Sequence, residues 1–439
     1  MSQWKKVKIG DFLVQYRITI HVQDDQDYKQ VTISSKDGVK SRGIKNGKDI
    51  GRKRQFLIDL KKYPKTAIFT RQGLHEGSIG IAPDSVDGCI ATENMPMFAV
   101  NEDVINSAYL QYLLKSQVFS DLVSTLTPTG SAQKAIHERD LLPLEISIPE
   151  LQEQKRIVSE ISQKLENIQQ LSNEVEKQKF YTKQLRANIL QDAIEGKLTA
   201  DWREKHPVKK GDPNYDAEAL YEKIIAAKSK NKNTDVTQST KTYSNWKLSA
   251  LGNFVDLKIG GTPARGNPNY WKTEMPWVSS GEVANCEIFS TKEQISLLGS
   301  EKSAAKRLPI GTVLVAMIGQ GKTRGQAAIL RIEAATNQNV CAIILPKGLI
   351  LSEYMYLYFC SRYEESRKVA TGGNQAALSG TKISRFIFPL PPLAEQKEIV
   401  ARVDKHLETI TQLETQIATR ETLTKQLMQG LLKDAFEEK

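Results

Sequence analysis

The sequence predicts an α+β chain, in which two homologous α/β modules are separated by two long antiparallel coiled-coil helices, as a pseudo-two-fold internal repeat. Three observations lead there. One block of residues recurs at a fixed offset. Each copy of that block opens a long run with a narrow apolar seam. Each run follows a stretch of short strands and glycine turns.

The repeat is explicit. Pro149, Leu151, Glu153, Gln154, Lys155, Ile157, Val158, Leu165, Glu166 and Ile168 return as Pro391, Leu393, Glu395, Gln396, Lys397, Ile399, Val400, Leu407, Glu408 and Ile410, every pair 391 − 149 = 242 residues apart. Ordinary composition gives roughly one identity in such a window. The register extends to the module starts, where Trp4, Gly10 and Phe12 return as Trp246, Gly252 and Phe254. So long a period means duplicated domains rather than a solenoid. Residues 13–125 and 255–367 nevertheless share little. Matching frames around divergent interiors suit two modules aimed at different targets, or simple drift after duplication.

Residues 1–150 are the first module. It opens with a β-like segment, Trp4–Phe12, and a short helix is expected at Ala108–Phe119. A long central helix occupies 151–197, with Pro149 suited to its start. Its seam is Ile157, Ile161, Leu165, Ile168, Leu171 and Val175, spaced alternately by three and four among polar residues. Residues 198–242 read as a linker with a short helix over Tyr215–Ala227, and the low-complexity run from Lys228 to Asn245 reads as flexible.

The second module, 243–391, repeats the opening at Trp246–Phe254. Buried strands are expected at Gly311–Ile318, Ala327–Ile332 and Val340–Leu345, and a helix at Glu353–Val369. A second long helix, 392–437, carries the seam Ile399, Val403, Leu407, Ile410, Leu413 and Ile417. Forty-four helical residues extend about 66 Å, far beyond one module's need. The seams could serve a homodimer, but two matching seams in one chain can also satisfy one another, which favours the internal antiparallel pair.

Composition narrows the function. The chain has 439 residues, 61 Lys+Arg against 51 Asp+Glu, and 40% hydrophobic residues. Wholesale disorder, collagen and a disulfide scaffold are excluded on these numbers. No apolar run approaches the roughly 18–20 residues a membrane span needs, and the N-terminal segment lacks the apolar stretch of a signal peptide. Cys89, Cys286, Cys341 and Cys360 form no CxxC pair and the five histidines are scattered, so no zinc cluster is suggested. A soluble cytoplasmic protein without a membrane partner is expected. The net charge of +10 favours polyanions only weakly.

Motifs that resemble catalytic chemistry do not hold together. Ala316–Thr323 looks like a relaxed phosphate loop, yet Ala316 replaces its first glycine and the following residues read as a strand. Asp212-Pro-Asn-Tyr215 and Asn267-Pro-Asn-Tyr270 lack the second proline of an amino-methyltransferase motif. Glu153-Gln-Lys155 and Glu395-Gln-Lys397 have nuclease-like spacing without a partner aspartate. Recognition chemistry remains. The divergent interiors carry Arg42, Lys45, Asn46, Lys53, Arg54, Arg71, Gln72 and His75 in the first module. In the second they carry Arg265, Asn267, Asn269, Tyr270, Trp271, Gln320, Lys322, Arg324, Gln338 and Asn339. Arg and Lys can read guanine O6/N7, Asn and Gln can read adenine N6/N7, and further cations neutralise phosphates. Taken singly, each is equally a solvated loop residue.

The chain resembles the specificity subunit of type I restriction–modification enzymes. The resemblance rests on Pro389-Leu-Pro-Pro-Leu-Ala-Glu-Gln-Lys-Glu-Ile-Val400, its counterpart Ile148-Pro-Glu-Leu-Gln-Glu-Gln-Lys-Arg-Ile-Val158, and Gly196-Lys-Leu-Thr-Ala-Asp-Trp202 closing the central helix. It covers almost the whole chain. The resemblance implies two target recognition domains, each reading one half of a split double-stranded DNA sequence, with the helices fixing the gap. It implies a non-catalytic subunit that docks two methyltransferase subunits on the helices, Ile157, Ile161, Leu165, Ile168, Ile399, Val403, Leu407 and Ile410 forming the helix-pair core. Restriction and translocase subunits join through that methyltransferase core. It places S-adenosylmethionine, ATP and magnesium in the partner subunits and no cofactor or metal here. One departure is Glu150, which stands where the second copy has Pro392, so the two helix starts are expected to differ slightly. The competing reading is a coiled-coil scaffold that never touches DNA, with a nucleotide hydrolase a distant third.

Overall fold

The computed structural model describes residues 4–127, 135–228, 245–319, 321–368 and 378–436. The chain divides into two compact units, residues 1–177 with 417–439 and residues 178–416. Each unit holds one module and part of both long helices.

The first unit is framed by a two-stranded antiparallel sheet, in which Lys5–Lys8 pairs with Glu145–Ile148 just ahead of the central helix. The β-like opening ends halfway. Ile9 and Gly10 donate their amides to the carbonyls of Leu144 and Leu142 (both 2.9 Å), and the chain rolls into a single helical turn, Ile9–Phe12, that buries Ile9 and Phe12. A four-stranded antiparallel sheet follows, in the order Leu13–Tyr16, Met97–Val100, Thr66–Phe69, Ile79–Ile81.

The second unit repeats this construction. Lys247–Ala250 pairs with Ile387–Leu390, and the turn Leu251–Phe254 buries Leu251 and Phe254. A sheet then runs in the order Asp256–Ile259, Val340–Ile344, Val313–Ala316, Ala327–Leu330. The four strands match those of the first module one for one although their sequences do not. Strands such as Thr66–Phe69, Val313–Ala316 and Ala327–Leu330 are buried along their whole length, so they keep an apolar pattern rather than particular residues.

The modules differ in what is added to this shared sheet. The first carries a second, five-stranded sheet ordered Thr19–His21, Arg54–Leu57, Ile90–Ala91, Asp27–Ser34, Gly38–Asn46. The second adds Cys286–Ile288 in parallel to Ala327–Leu330, plus a three-stranded sheet ordered Glu293–Ile295, Met275–Val278, Ala335–Thr336.

Two expected helices prove to be broken. In place of one helix at Ala108–Phe119 there are Ser107–Leu113 and Gln117–Ser124. Ser116 makes the break: its hydroxyl donates to Leu113 O (2.7 Å) and accepts from Phe119 N (3.3 Å), capping the second helix as the first ends. Glu353–Val369 similarly divides into Ser352–Ser361 and Tyr363–Lys368. The linker helix is Ala217–Ala227, capped by Asp216, and residues 229–244 of the expected flexible run lie outside the described residues.

The long helices are Leu151–Ile194 and Leu393–Phe436, 44 residues each. Within the first unit Ile157 and Ile161, near the start of the central helix, share a core with Leu431, Ala435 and Phe436 at the end of the C-terminal helix. Within the second, Ala193 and Ile194 at the end of the central helix share a core with Ile399 and Val403 near the start of its partner. Both pairings are antiparallel, as expected, but in each the seam residues pack against the end of the other helix rather than against its matching seam. Ile168 and Ile410 are buried as well, and Leu165 and Leu407 are half-buried. Leu171 and Leu413 depart from the expected seam, being 51% and 40% exposed.

The helix starts coincide despite Glu150 and Pro392. Gln154 is fully buried, and its side-chain amide donates to Pro149 O (2.8 Å) and Val104 O (3.2 Å) while accepting from Asn106 N (2.7 Å). Gln396 repeats this, donating to Pro391 O (3.1 Å) and accepting from Leu351 N (2.9 Å). Each glutamine thus staples its helix to the chain just ahead of a module helix, a reason for its place in the repeat that the sequence did not disclose.

Candidate nucleic-acid interface

Register places the polar residues. In the second module Ile259, Cys341 and Val315 stand side by side across the shared sheet. The segments 260–262, 337–339 and 317–326 therefore leave from one sheet end. They are tied together: Gly261 N donates to Thr336 O (2.8 Å), Met317 N to Asn339 O (2.9 Å), and Thr262 Oγ1 bonds Gln338 Oε1. A Cβ on Gly260 would lie 2.1 Å from Thr336 O, so only glycine permits this approach. Four predicted residues lie on these segments: Lys322, Arg324, Gln338 and Asn339. Lys322 and Gln338 are exposed and Arg324 is half-buried. Gln320 lies outside the described residues. The segment 317–326 joins two antiparallel strands and no helix follows it, so the phosphate-loop resemblance has no structural counterpart.

The remaining predicted residues of this module lie on the next loop and mostly hold it together. Arg265 stacks 3.8 Å from the Trp271 ring and forms a two-point ion pair with Glu293. Trp271 Nε1 donates to Ala264 O (3.3 Å). Asn267 caps the turn Pro268–Tyr270 by accepting from Asn269 N (3.0 Å), and the carbonyls of Asn269 and Tyr270 accept from Ser296. Asn269 is exposed and Tyr270 is half-buried.

The first module uses the same end of its sheet. There Tyr16, Met97 and Ile68 are adjacent, and a polar cavity of about 240 Å³ is lined by Gln15, Arg17, Arg54, Phe56, Arg71 and Glu93 among others. Arg71 is committed inward: Nε and Nη2 donate to both Glu138 oxygens (2.9 and 2.7 Å). Gln15 and Arg17 add bonds at 3.1 and 3.3 Å. Burial alone would raise the Glu138 pKa, but the Arg71 and Gln15 bonds and its own backbone bond outweigh this and hold it at about 2. Arg54 lies 3.9 Å from Glu93 and over the Phe56 ring. Gln72 and His75 are exposed on the neighbouring turn, His75 being 3.8 Å from Glu76.

Elsewhere in this module the strands Asp27–Ser34 and Gly38–Asn46 form a long hairpin at the edge of the five-stranded sheet. Arg42 and Lys45 are exposed on its outer strand. Asn46 instead bonds Asp27 (2.9 Å) and caps the turn Gly47–Asp49, and Lys53 ties Asp24 to Gly47 O. The sequence reading missed this hairpin, with Gln30 and Ile44, and the cluster of Gln15, Arg17 and Glu138. The hairpin did have a signal, since Asp37-Gly38 between two alternating runs marks a tight β-turn. Glu138, 67 residues from Arg71, had none.

Comparison with known proteins bears on this geometry directly. The model of the family described as "Type I restriction modification DNA specificity domain" matches residues 1–177 and again 243–420. The chain belongs to that family. It holds two copies of the specificity domain, and the same strand order in both modules is the structural face of that duplication. Among relatives, the EcoR124I/EcoR124II specificity subunit of Escherichia coli is 28% identical over 40% of this chain and 44% of its own length. The EcoKI specificity subunit of Escherichia coli K12 is 24% identical over 91% and 81%. The chain thus spans less than half of the first relative and most of the second. The fold is shared with the HsdS subunit from Thermoanaerobacter tengcongensis, at 19% identity and TM-score 0.56 over 99% of this chain and 96% of that one. A structure described under complex assembly and conformational transition of the type I R-M system matches at 18% identity and TM-score 0.62 over 99% and 98%. Among the described residues of this specificity-domain protein, no acidic, histidine and cysteine groups are placed to hold a metal, and no helix is long and apolar enough to cross a membrane.

Proposed function

We propose that this chain is the non-catalytic DNA-specificity subunit of a type I restriction–modification complex, each module reading one half of a bipartite double-stranded site. The matched sheet ends carry this reading. Two modules with one strand order present different basic and amide side chains at the same place, as two readers of different half-sites require. The helices set the gap between half-sites and dock the methyltransferase subunits, through which restriction and translocase subunits join. Support for docking comes from the first unit, where Ile168, Leu171, Leu423 and Leu427 line a groove of about 610 Å³. Leu171, Leu423 and Leu427 are each about half exposed, an apolar surface that suits a partner. S-adenosylmethionine, ATP and magnesium act in the partner subunits.

The test is to map methylated adenines in cells that carry the methyltransferase genes with or without this gene. A bipartite motif present only with the gene is expected. Exchanging residues 1–150 for the corresponding block of another specificity subunit should change one half of that motif and leave the other half and the gap intact. Loss of both halves in a folded exchange protein would count against modular reading.

A further inference from the structure

We propose that Arg42 is a base-reading residue of the first module, held out by a β-bulge so that its guanidinium meets a guanine edge in the major groove. The inference rests on the reading that this module binds DNA. In the hairpin, Gln30 stands opposite Gly43 and Val31 opposite Ser41, so Arg42 is the one residue without a partner across the strands. Such an extra residue bends the strand and re-aims its side chain. Gly43 completes the bulge at φ +113°, and a Cβ there would meet nothing within 4 Å, leaving this side of the ribbon bare. From Lys40 to Lys45 every residue is exposed, on a strand with one free edge. A two-stranded ribbon of this kind fits the major groove of a duplex.

The charges single out Arg42. Arg17 and Arg71 bond Glu138, Arg52 and Arg54 face Glu93, and Arg139 faces Asp140. Lys40 bonds Asp37 and Lys53 bonds Asp24. Among the described residues of this module, Arg42 is the arginine with no carboxylate partner. Its fork of donors is free for guanine O6 and N7, the commonest base contact an arginine makes. An edge strand also uses cations and bulges merely to block pairing with another sheet. That explanation leaves Ile44 unexplained: it is 67% exposed two residues from Arg42, where a protective edge gains nothing from a bare isoleucine. Beside a base-reading arginine it suits a thymine methyl.

The full chain, co-expressed with its methyltransferase subunits, tests this by methylation mapping and by binding to duplexes carrying each base at every motif position. Arg42→Gln should relax or change a single guanine-containing position of one half-site, lowering discrimination there by about 5- to 150-fold, with the other half-site, the gap and the melting temperature unchanged. Arg42→Lys keeps the charge and replaces the planar fork by a single ammonium that can still reach guanine, so it should lose less discrimination than Arg42→Gln while retaining most of the affinity for non-specific DNA. Lys45→Gln, as comparison, should weaken all sequences alike and flatten the salt dependence by about one unit. If Arg42→Gln behaves like Lys45→Gln, Arg42 contacts phosphate and the proposal fails. An unaltered motif and affinity would show edge protection alone and also overturn it. A wild-type complex with no sequence preference would instead overturn the DNA-reading function on which the proposal stands.

Discussion

Identical residues of the repeat do unequal work. Glu395 is 1% exposed and accepts from Trp246 Nε1 (2.8 Å), Thr199 Oγ1 (2.7 Å) and Arg203. Its counterpart Glu153 is paired along the helix surface with Arg156. Removing Glu395 leaves Arg203, an indole N–H and a hydroxyl without their acceptor in a buried site, so Glu395→Ala should cost about 3–5 kcal/mol. Glu153→Ala should stay within about 0.5 kcal/mol, as surface changes do. Denaturant unfolding of the two variants compares them, and equal losses would show that the buried cluster adds nothing. Glu138 makes a different prediction because its carboxyl ionises at about 2 in the fold against 4.5 ordinarily. A depressed carboxyl stabilises the ionised fold: the contribution is complete above pH 4.5 and is lost as the pH falls through 2. Wild type should therefore lose stability across that window relative to Glu138→Gln, which should be weaker at neutral pH and flatter in acid. Melting curves taken from pH 6 to pH 2 read the difference.

Among the elements, those that follow a long period were legible and those made by one side chain were not. Both 44-residue helices and the strands Val313–Ala316, Ala327–Leu330 and Val340–Ile344 follow from apolar spacing alone. The break at Ser116 is a local capping event inside a pattern that otherwise continues as helix. The end of the first strand at Lys8 depends on carbonyls from residues 142 and 144, which no local reading supplies. The candidate site divides the same way. The residue types were readable, but whether an arginine is offered outward or spent inward depends on features no local reading supplies: a bulge for Arg42 and distant Glu138 for Arg71. The two glutamine staples give this scale its prediction. Gln154→Ala and Gln396→Ala each strand a half-buried backbone amide, so each should cost about 1–3 kcal/mol. They share no bonding partner, so the double variant should lose the sum within about 0.5 kcal/mol, measured by chemical denaturation. A shortfall well beyond that would mean that one staple holds only when the other does.

For the whole molecule, the helices are longer than packing requires. Each runs about 66 Å, whereas the modules bury their cores against only part of that length: Ile157, Ile161 and Leu165 near the start of the central helix in the first unit, Ile399, Val403 and Leu407 near the start of its partner in the second. Beyond Leu165 the central helix contributes no side chain to the first module's core, and under the proposed function that length of rod sets the distance between half-sites. Duplex DNA repeats every 34–36 Å, about 10–10.5 base pairs, so a change in the rod must be answered by a change in the number of base pairs between half-sites. Inserting or deleting one helical repeat within Ile161–Val175, with the matching change in the C-terminal helix to keep the seams in register, should lengthen or shorten the gap and leave both half-sites as they were. Adenine methylation mapping in cells carrying the altered gene reads gap and half-sites in one experiment. Altered half-sites with an unchanged gap would refute the ruler, because the modules would then be sensing the helices through their own folds rather than through the distance the helices impose.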